Sequence, residues 1–100
     1  MLRGWFVGDF KPTAFRTKKF EVGYLKHKKN ENWPTHFHKK SVEINLLIEG
    51  AMKIKGKILK KGDIFILDKK EVADPIFLKD CSIVCIKIPS LPNDKYIIRK

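Results

Sequence analysis

Between Phe20 and Ile88 the apolar residues fall in short stretches, alternating with polar ones or running unbroken, and each stretch stops at a glycine, a proline or a charged cluster. The stretches cover residues 20–26, 43–48, 51–54, 57–59, 64–67, 72–78 (interrupted by Pro75) and 82–88. No window sets apolar residues at helical spacing over three turns, and no capping signature precedes such a face. Side chains of a strand alternate between two faces, so segments this short gain stability only by burying one face against another sheet. The pattern predicts six to nine short strands in an all-β sandwich or barrel. Lys55-Gly56 reads as a hairpin turn with Lys53, Lys55 and Lys57 on the wet side. Residues 60–63 form the next turn, 68–71 a charged loop, and Pro89 and Pro92 end the last long strand. Ahead of this region Trp5, Phe6, Phe10 and Phe15, broken by Pro12, suit one or two short strands or an arm laid across the barrel. Without repeats or linkers, the chain reads as one domain over 1–100: an arm of about 1–19, a core of about 20–88 and a tail of about 89–100, whose Ile97 and Ile98 can dock on the barrel or a partner.

The most chemical stretch is residues 33–50. His36 and His38 stand two apart, so in an extended strand both imidazoles point to one face. Trp33-Pro34 forces an extended entry, and Lys39-Lys40-Ser41 reads as a tight connection or a strand break. Past the break Glu43, Asn45 and Leu47 share one face, and Ile44, Leu46 and Ile48 share the other. Two neutral imidazoles and a carboxylate converging inside a barrel are ligands of the kind that zinc, iron, manganese and nickel take. His27 lies among lysines and reads as solvent-facing.

His36-x-His38, four residues, Glu43, six residues and Gly50 resemble the first conserved motif of the cupin family. That motif runs glycine, five residues, His-x-His, three or four residues, glutamate, six residues, glycine. Its opening glycine falls on Asn30, one of the few other residues that tolerate a left-handed backbone. In the second motif Gly62 matches, while Asp68 stands at the proline, Lys70 at the glycine, Ala73 at the histidine and Phe77 at the asparagine. The resemblance implies a jelly-roll barrel, a double-stranded β-helix, around a divalent transition metal (iron, manganese, zinc or nickel) held by His36, His38 and Glu43. The fourth place would go to water or substrate, with Asp74, one residue past Ala73, as the alternative. Asn45 and Trp33 would line the ligand pocket, and cupins often pair as homodimers.

Composition narrows the partners. The net charge of +11 invites a nucleic-acid reading, but 19 of the 22 basic residues are lysine and they are scattered along the chain. Phosphate and base recognition favour the planar fork of arginine, present only at Arg3, Arg16 and Arg99, so no specific nucleic-acid partner is expected. No apolar segment is long enough to span a membrane and the first ten residues lack a secretory core, so cytoplasmic residence is expected. Cys81 and Cys85 lie four apart on a strand, about 13 Å at strand rise. A disulfide needs Cα atoms within about 7 Å, so they read as buried thiols. Residues 56–62 hold no phosphate-binding loop, and no serine stands in a nucleophile elbow. Three classes remain: a metal-dependent enzyme of dioxygenase, isomerase or decarboxylase type acting on a small molecule, a binding module for a sugar-like or anionic ligand, and a structural barrel. A homodimer is expected to cover its edge strands with the N-terminal aromatic segment and Ile97-Ile98.

Overall fold

Ten strands, and no helix, make up the regular structure of the described residues, which in this computed structural model are 3–33, 35–91, 94, 96 and the backbone of Ile97. They are β1 (Trp5–Val7), β2 (Glu21–His27), β3 (His36–Phe37), β4 (Val42–Glu49), β5 (Ala51–Ile54), β6 (Lys57–Lys60), β7 (Ile64–Leu67), β8 (Ile76–Phe77), β9 (Cys81–Ile88) and β10 (Tyr96–Ile97). The count exceeds the six to nine expected because three strands, β3, β8 and β10, are only two residues long and take their hydrogen bonds from partners distant in sequence. The pairings between these strands are antiparallel: a five-stranded sheet ordered β1-β2-β9-β4-β7, a three-stranded sheet β6-β5-β8, and the pair β10-β3. The side chains of Ile97 and Ile98 lie outside the described residues.

The large sheet is built on β9, the most regular alternation in the sequence, whose Cys81, Ile83, Cys85 and Lys87 are buried. Register across β2, β9, β4 and β7 lines up the inner face in rows. One row is Glu21–Lys87–Glu43–Leu67, the next Gly23–Cys85–Asn45–Phe65, and a third Leu25–Ile83–Leu47. The interior therefore grades from a charged end to an apolar one. Leu47, Met52, Ile54, Leu67, Ala73, Phe77, Cys81 and Ile83 form the core, with Trp33, Leu59 and Phe65 packed against it. Removing the Leu47 side chain to alanine at such a site costs about 2–5 kcal/mol.

Turns follow the residues that permit them. Lys55 (φ +53) and Gly56 (φ +75) both take the left-handed backbone of a two-residue hairpin, with Lys53, Lys55 and Lys57 exposed. Gly50 turns at φ +100, and a Cβ there would lie 2.3 Å from the Asp80 carbonyl oxygen. The extended piece expected over 72–78 shrinks to β8 and a single bridge from Ala73 to His36, because Pro75 interrupts the ladder. Of the N-terminal segment, β1 adds an edge strand to β2, and the Trp5 indole lies where a Cβ on Gly23 would sit, 2.7 Å away. Both cysteines are buried free thiols.

Candidate metal centre

His36 and His38 flank the end of β3, and Glu43 lies near the start of β4 on the inner face, next to Lys87. One ligand atom from each of the three lies within 4.8 Å of the others, and both imidazoles are buried. Two atoms bound to one ion at about 2.1 Å are at most about 4.2 Å apart, so the set needs little closure to hold a transition metal.

The tail sets the orientation of His38. Its Nδ1 lies 2.7 Å from the backbone carbonyl oxygen of Asp94. A carbonyl only accepts, so Nδ1 carries a proton and Nε2 is left facing Glu43 Oε2 at 2.9 Å. Two such atoms hold either a proton or a metal ion between them. The Asp94 carboxylate accepts from the backbone N–H groups of Lys39, Lys40 and Ser41 at 3.2, 2.8 and 2.9 Å, which shapes the break between β3 and β4. Burial alone would push the Asp94 carboxyl up. These bonds, with the charge of His38, outweigh it and hold the carboxyl below its ordinary value.

Glu43 is governed by the same balance. Burial works to raise its carboxyl, while the hydrogen bond and charge of His38, the Asn45 amide (Nδ2 to Oε1, 3.2 Å) and the charge of His36 prevail and keep it lowered. It is thus held as a carboxylate, the form a metal needs. Cys85, across the register from Asn45, is pushed well up by burial and by the neighbouring Glu43 charge. This favours the neutral thiol beside the site.

The three candidate ligands face a cavity of about 510 Å³, within the usual range for small-molecule sites. Asn45 and Trp33 both line it. Trp33 also meets the rings of His27 and His36 edge-on, at 4.7 and 6.3 Å between centroids. Ala73, in the position of the second-motif histidine, exchanges backbone hydrogen bonds with His36 at 3.1 and 2.7 Å, so that position is at the site but offers only a methyl group. Asp74 is turned to the exposed side, where its Oδ1 accepts from Thr35 Oγ1 at 3.2 Å, and it is not among the residues lining the cavity. Asn30 does take a left-handed backbone (φ +60), as does Lys70 (φ +63) in the second-motif glycine position.

Two features escape the sequence pattern. His27 is buried, not solvent-facing: its ring stacks on Phe77 at 4.4 Å, and its Nδ1 lies 2.7 Å from Glu31 Oε2. Its place at the inner parity of β2, shared with Gly23 and Leu25, is the signal that marks it. The charged end of the cavity holds a buried ion pair, Lys87 Nζ to Glu21 Oε1 at 3.2 Å. Ser90 Oγ donates to Glu21 Oε2 at 3.1 Å and accepts from the Asp9 N–H at 2.7 Å. The Lys87 ammonium lies 5.7 Å from the Trp5 ring centroid. Lys87 shares the parity of Cys81, Ile83 and Cys85, which is the only mark it leaves in the sequence.

Solved structures place this architecture. A protein with a double-stranded β-helix domain from Klebsiella pneumoniae superposes with a TM-score of 0.73 at 20% identity, over 84% of this chain and 74% of that one. A cupin-2 domain protein from Shewanella frigidimarina matches with a TM-score of 0.58 at 17% identity, over 72% of each chain. The chain has the cupin fold. A third cupin-fold match is the DMSP lyase DddQ from Ruegeria pomeroyi, with a TM-score of 0.75 at 12% identity over 91% of this chain and 48% of that one. No family model and no curated protein matches the sequence. On this cupin framework the His36, His38 and Glu43 cluster suits metal binding. Among the described residues no helix is long and apolar enough to cross a membrane.

Proposed function

We propose that the protein is a metal-dependent cupin that binds one divalent transition metal through His36, His38 and Glu43 and acts on a small molecule in the adjoining cavity. The observation that carries this is the convergence of three buried ligand atoms within 4.8 Å on the wall of a 510 Å³ cavity. Iron, manganese, zinc and nickel all accept this donor set. When bound, the metal supplies Lewis acidity and open coordination positions for substrate. The chain's own residues do the rest. Asp94 fixes the His38 tautomer, Asn45 orients Glu43, and Ala73 leaves space beside His36 for a ligand. Trp5, Phe10 and Trp33 offer apolar walls for the body of a small molecule. A lyase, isomerase or dioxygenase chemistry is consistent with such a centre, and the reduced thiols suit a cytoplasmic protein. A second reading, ligand binding without turnover, is favoured by the pairing of Lys87 with Glu21, which ties that ammonium up in an ion pair.

The test is metal analysis of protein purified without an affinity tag, followed by titration of iron, manganese, zinc and nickel against melting temperature. One equivalent of metal and a rise in melting temperature are expected. His36→Ala and His38→Ala should each weaken binding by about 100-fold or more, with the strand signal in circular dichroism unchanged. Asp74→Ala should leave affinity within about twofold, since its carboxylate faces Thr35. Absence of stoichiometric metal with no thermal response to any of the four ions would refute the reading.

A further inference from the structure

Of the three histidines, His27 stands outside the metal cluster yet lines the same cavity. It ends β2 on the inner face, opposite Cys81 of β9. Its ring stacks on Phe77, and the edge-on Trp33 indole meets both His27 and His36. One indole thus sets His27 on the wall beside the cluster without making it a ligand.

The ring has a defined orientation. Nδ1 lies 2.7 Å from Glu31 Oε2, and this hydrogen bond outweighs burial in holding the Glu31 carboxyl below its ordinary value. A carboxylate only accepts, so Nδ1 carries the proton and the neutral ring presents a lone pair at Nε2. Nε2 has no hydrogen-bond partner among the described residues, whose buried side-chain nitrogens and oxygens are all paired. The 8% exposure that His27 keeps therefore includes Nε2, on a residue that lines the cavity. Glu31 is fixed in its turn. Its N–H donates to the Lys28 carbonyl at 2.9 Å, and its Oε1 accepts from the Lys28 N–H at 3.2 Å. Asn30, left-handed at φ +60, donates its N–H to the Phe77 carbonyl at 2.8 Å. The residue whose ring carries His27 thereby also anchors the turn that carries Glu31.

We propose that His27, oriented by Glu31, is the general base of the cavity. A small molecule bound there loses a proton from carbon or oxygen to Nε2. The electron pair of the broken bond stays on the molecule, the ring becomes an imidazolium, and the Glu31 carboxylate offsets its charge. Packing alone would be served by another apolar ring like Phe77, whereas a fixed tautomer with its lone pair open to the cavity is what proton transfer requires. The assignment rests on the reading of the cavity as a small-molecule site, and it narrows the reaction to one that opens by deprotonation, as isomerisation and elimination do.

The experiment gives the full chain 5-nitrobenzisoxazole, a small flat probe that opens to a coloured cyanophenolate when a base removes its ring C–H proton. The C–H and N–O bonds break together, so the probe needs neither metal nor co-substrate. Saturable turnover is expected, slowed several-fold when that hydrogen is deuterium. His27→Gln should lower kcat/KM by about 100-fold or more. Glu31→Gln, at a half-buried position, should lower kcat about tenfold or more with KM within about twofold, because its amide can donate to Nδ1 and drive the proton to Nε2. Nitrogen NMR of the ring should show that change of tautomer directly. Glu49→Gln, an exposed acid that does not line the cavity, should leave the rate within about twofold. If His27→Gln loses its strand signal in circular dichroism, Glu31→Gln decides the matter. No saturable turnover, turnover without an isotope effect, or turnover that survives these two variants overturns the proposal. Metal analysis of the same preparation separates the two readings. Metal-free protein that turns the probe over through His27 upholds the base and refutes the metal centre; metal-loaded protein that does not refutes the base alone.

Discussion

At the scale of single residues, the interior row Glu21–Lys87–Glu43 shows how a small barrel keeps charges inside. Each carboxylate is held by a defined set of donors: Ser90 and Lys87 for Glu21, His38 and Asn45 for Glu43. Removing one member of a buried pair leaves the other without compensation, which costs more than the pair contributes. Lys87→Met is therefore expected to destabilise the protein by about 3–5 kcal/mol, a large fraction of a typical total of about 5–15 kcal/mol. Glu21→Met/Lys87→Met should recover much of that loss, since two apolar side chains of similar size can replace a buried pair. Urea denaturation of both variants checks this; a double variant no more stable than the single one would show that the pair is not the cause.

At the scale of elements, the pairing of β10 with β3 ties the tail to the histidine strand. Tyr96 pairs with Phe37 and Ile97 with His36, and the Tyr96 ring stacks on Phe37 at 5.4 Å. A two-residue strand such as β3 cannot hold its position alone, because too few hydrogen bonds offset the entropy of ordering it. It is held by β10 on one side and by the Ala73 bridge on the other. Truncation after Leu91 removes Asp94 and β10 together, and so removes the acceptor for His38 Nδ1. The barrel core should remain folded by circular dichroism. Metal affinity, read by competition with a chromophoric chelator, should fall about 10–100-fold, the usual effect of losing a partner that orients a metal-binding histidine.

At the scale of the whole molecule, two depressed carboxyls at the site link its integrity to pH. Glu43 and Asp94 are lowered on folding, so the stability they contribute is fully present above their ordinary unfolded values, near pH 4. It is lost as pH falls through the lower folded values. Stability in urea is expected to be level from about pH 7 to 5 and to decline below about pH 4. Asp94→Asn, which cannot ionise, should be less stable by about 1–3 kcal/mol at pH 7, and the gap should close as the medium is acidified. An unchanged gap at pH 3 would show that the carboxylate's charge is not what its backbone donors recognise.

How much of this was written in the sequence differs from part to part. Period-two alternation placed Glu43, Asn45 and Leu47 on one face of β4 and Cys81, Ile83 and Cys85 on one face of β9, because strand geometry is local and the inner face must be buried. The spacing from His36 to Gly50 carried the resemblance to cupins for the same reason: it encodes a strand, a break and a turn in one continuous stretch. The partners that come from far along the chain were not legible. Asp94 under His38, Lys87 beside Glu43 and the turning of Asp74 towards Thr35 all depend on which strands lie side by side. So does the mainly apolar outer face of the large sheet, whose rows are assembled from four strands. Register between strands distant in sequence is set by packing of the whole sheet, and no local pattern of residues specifies it.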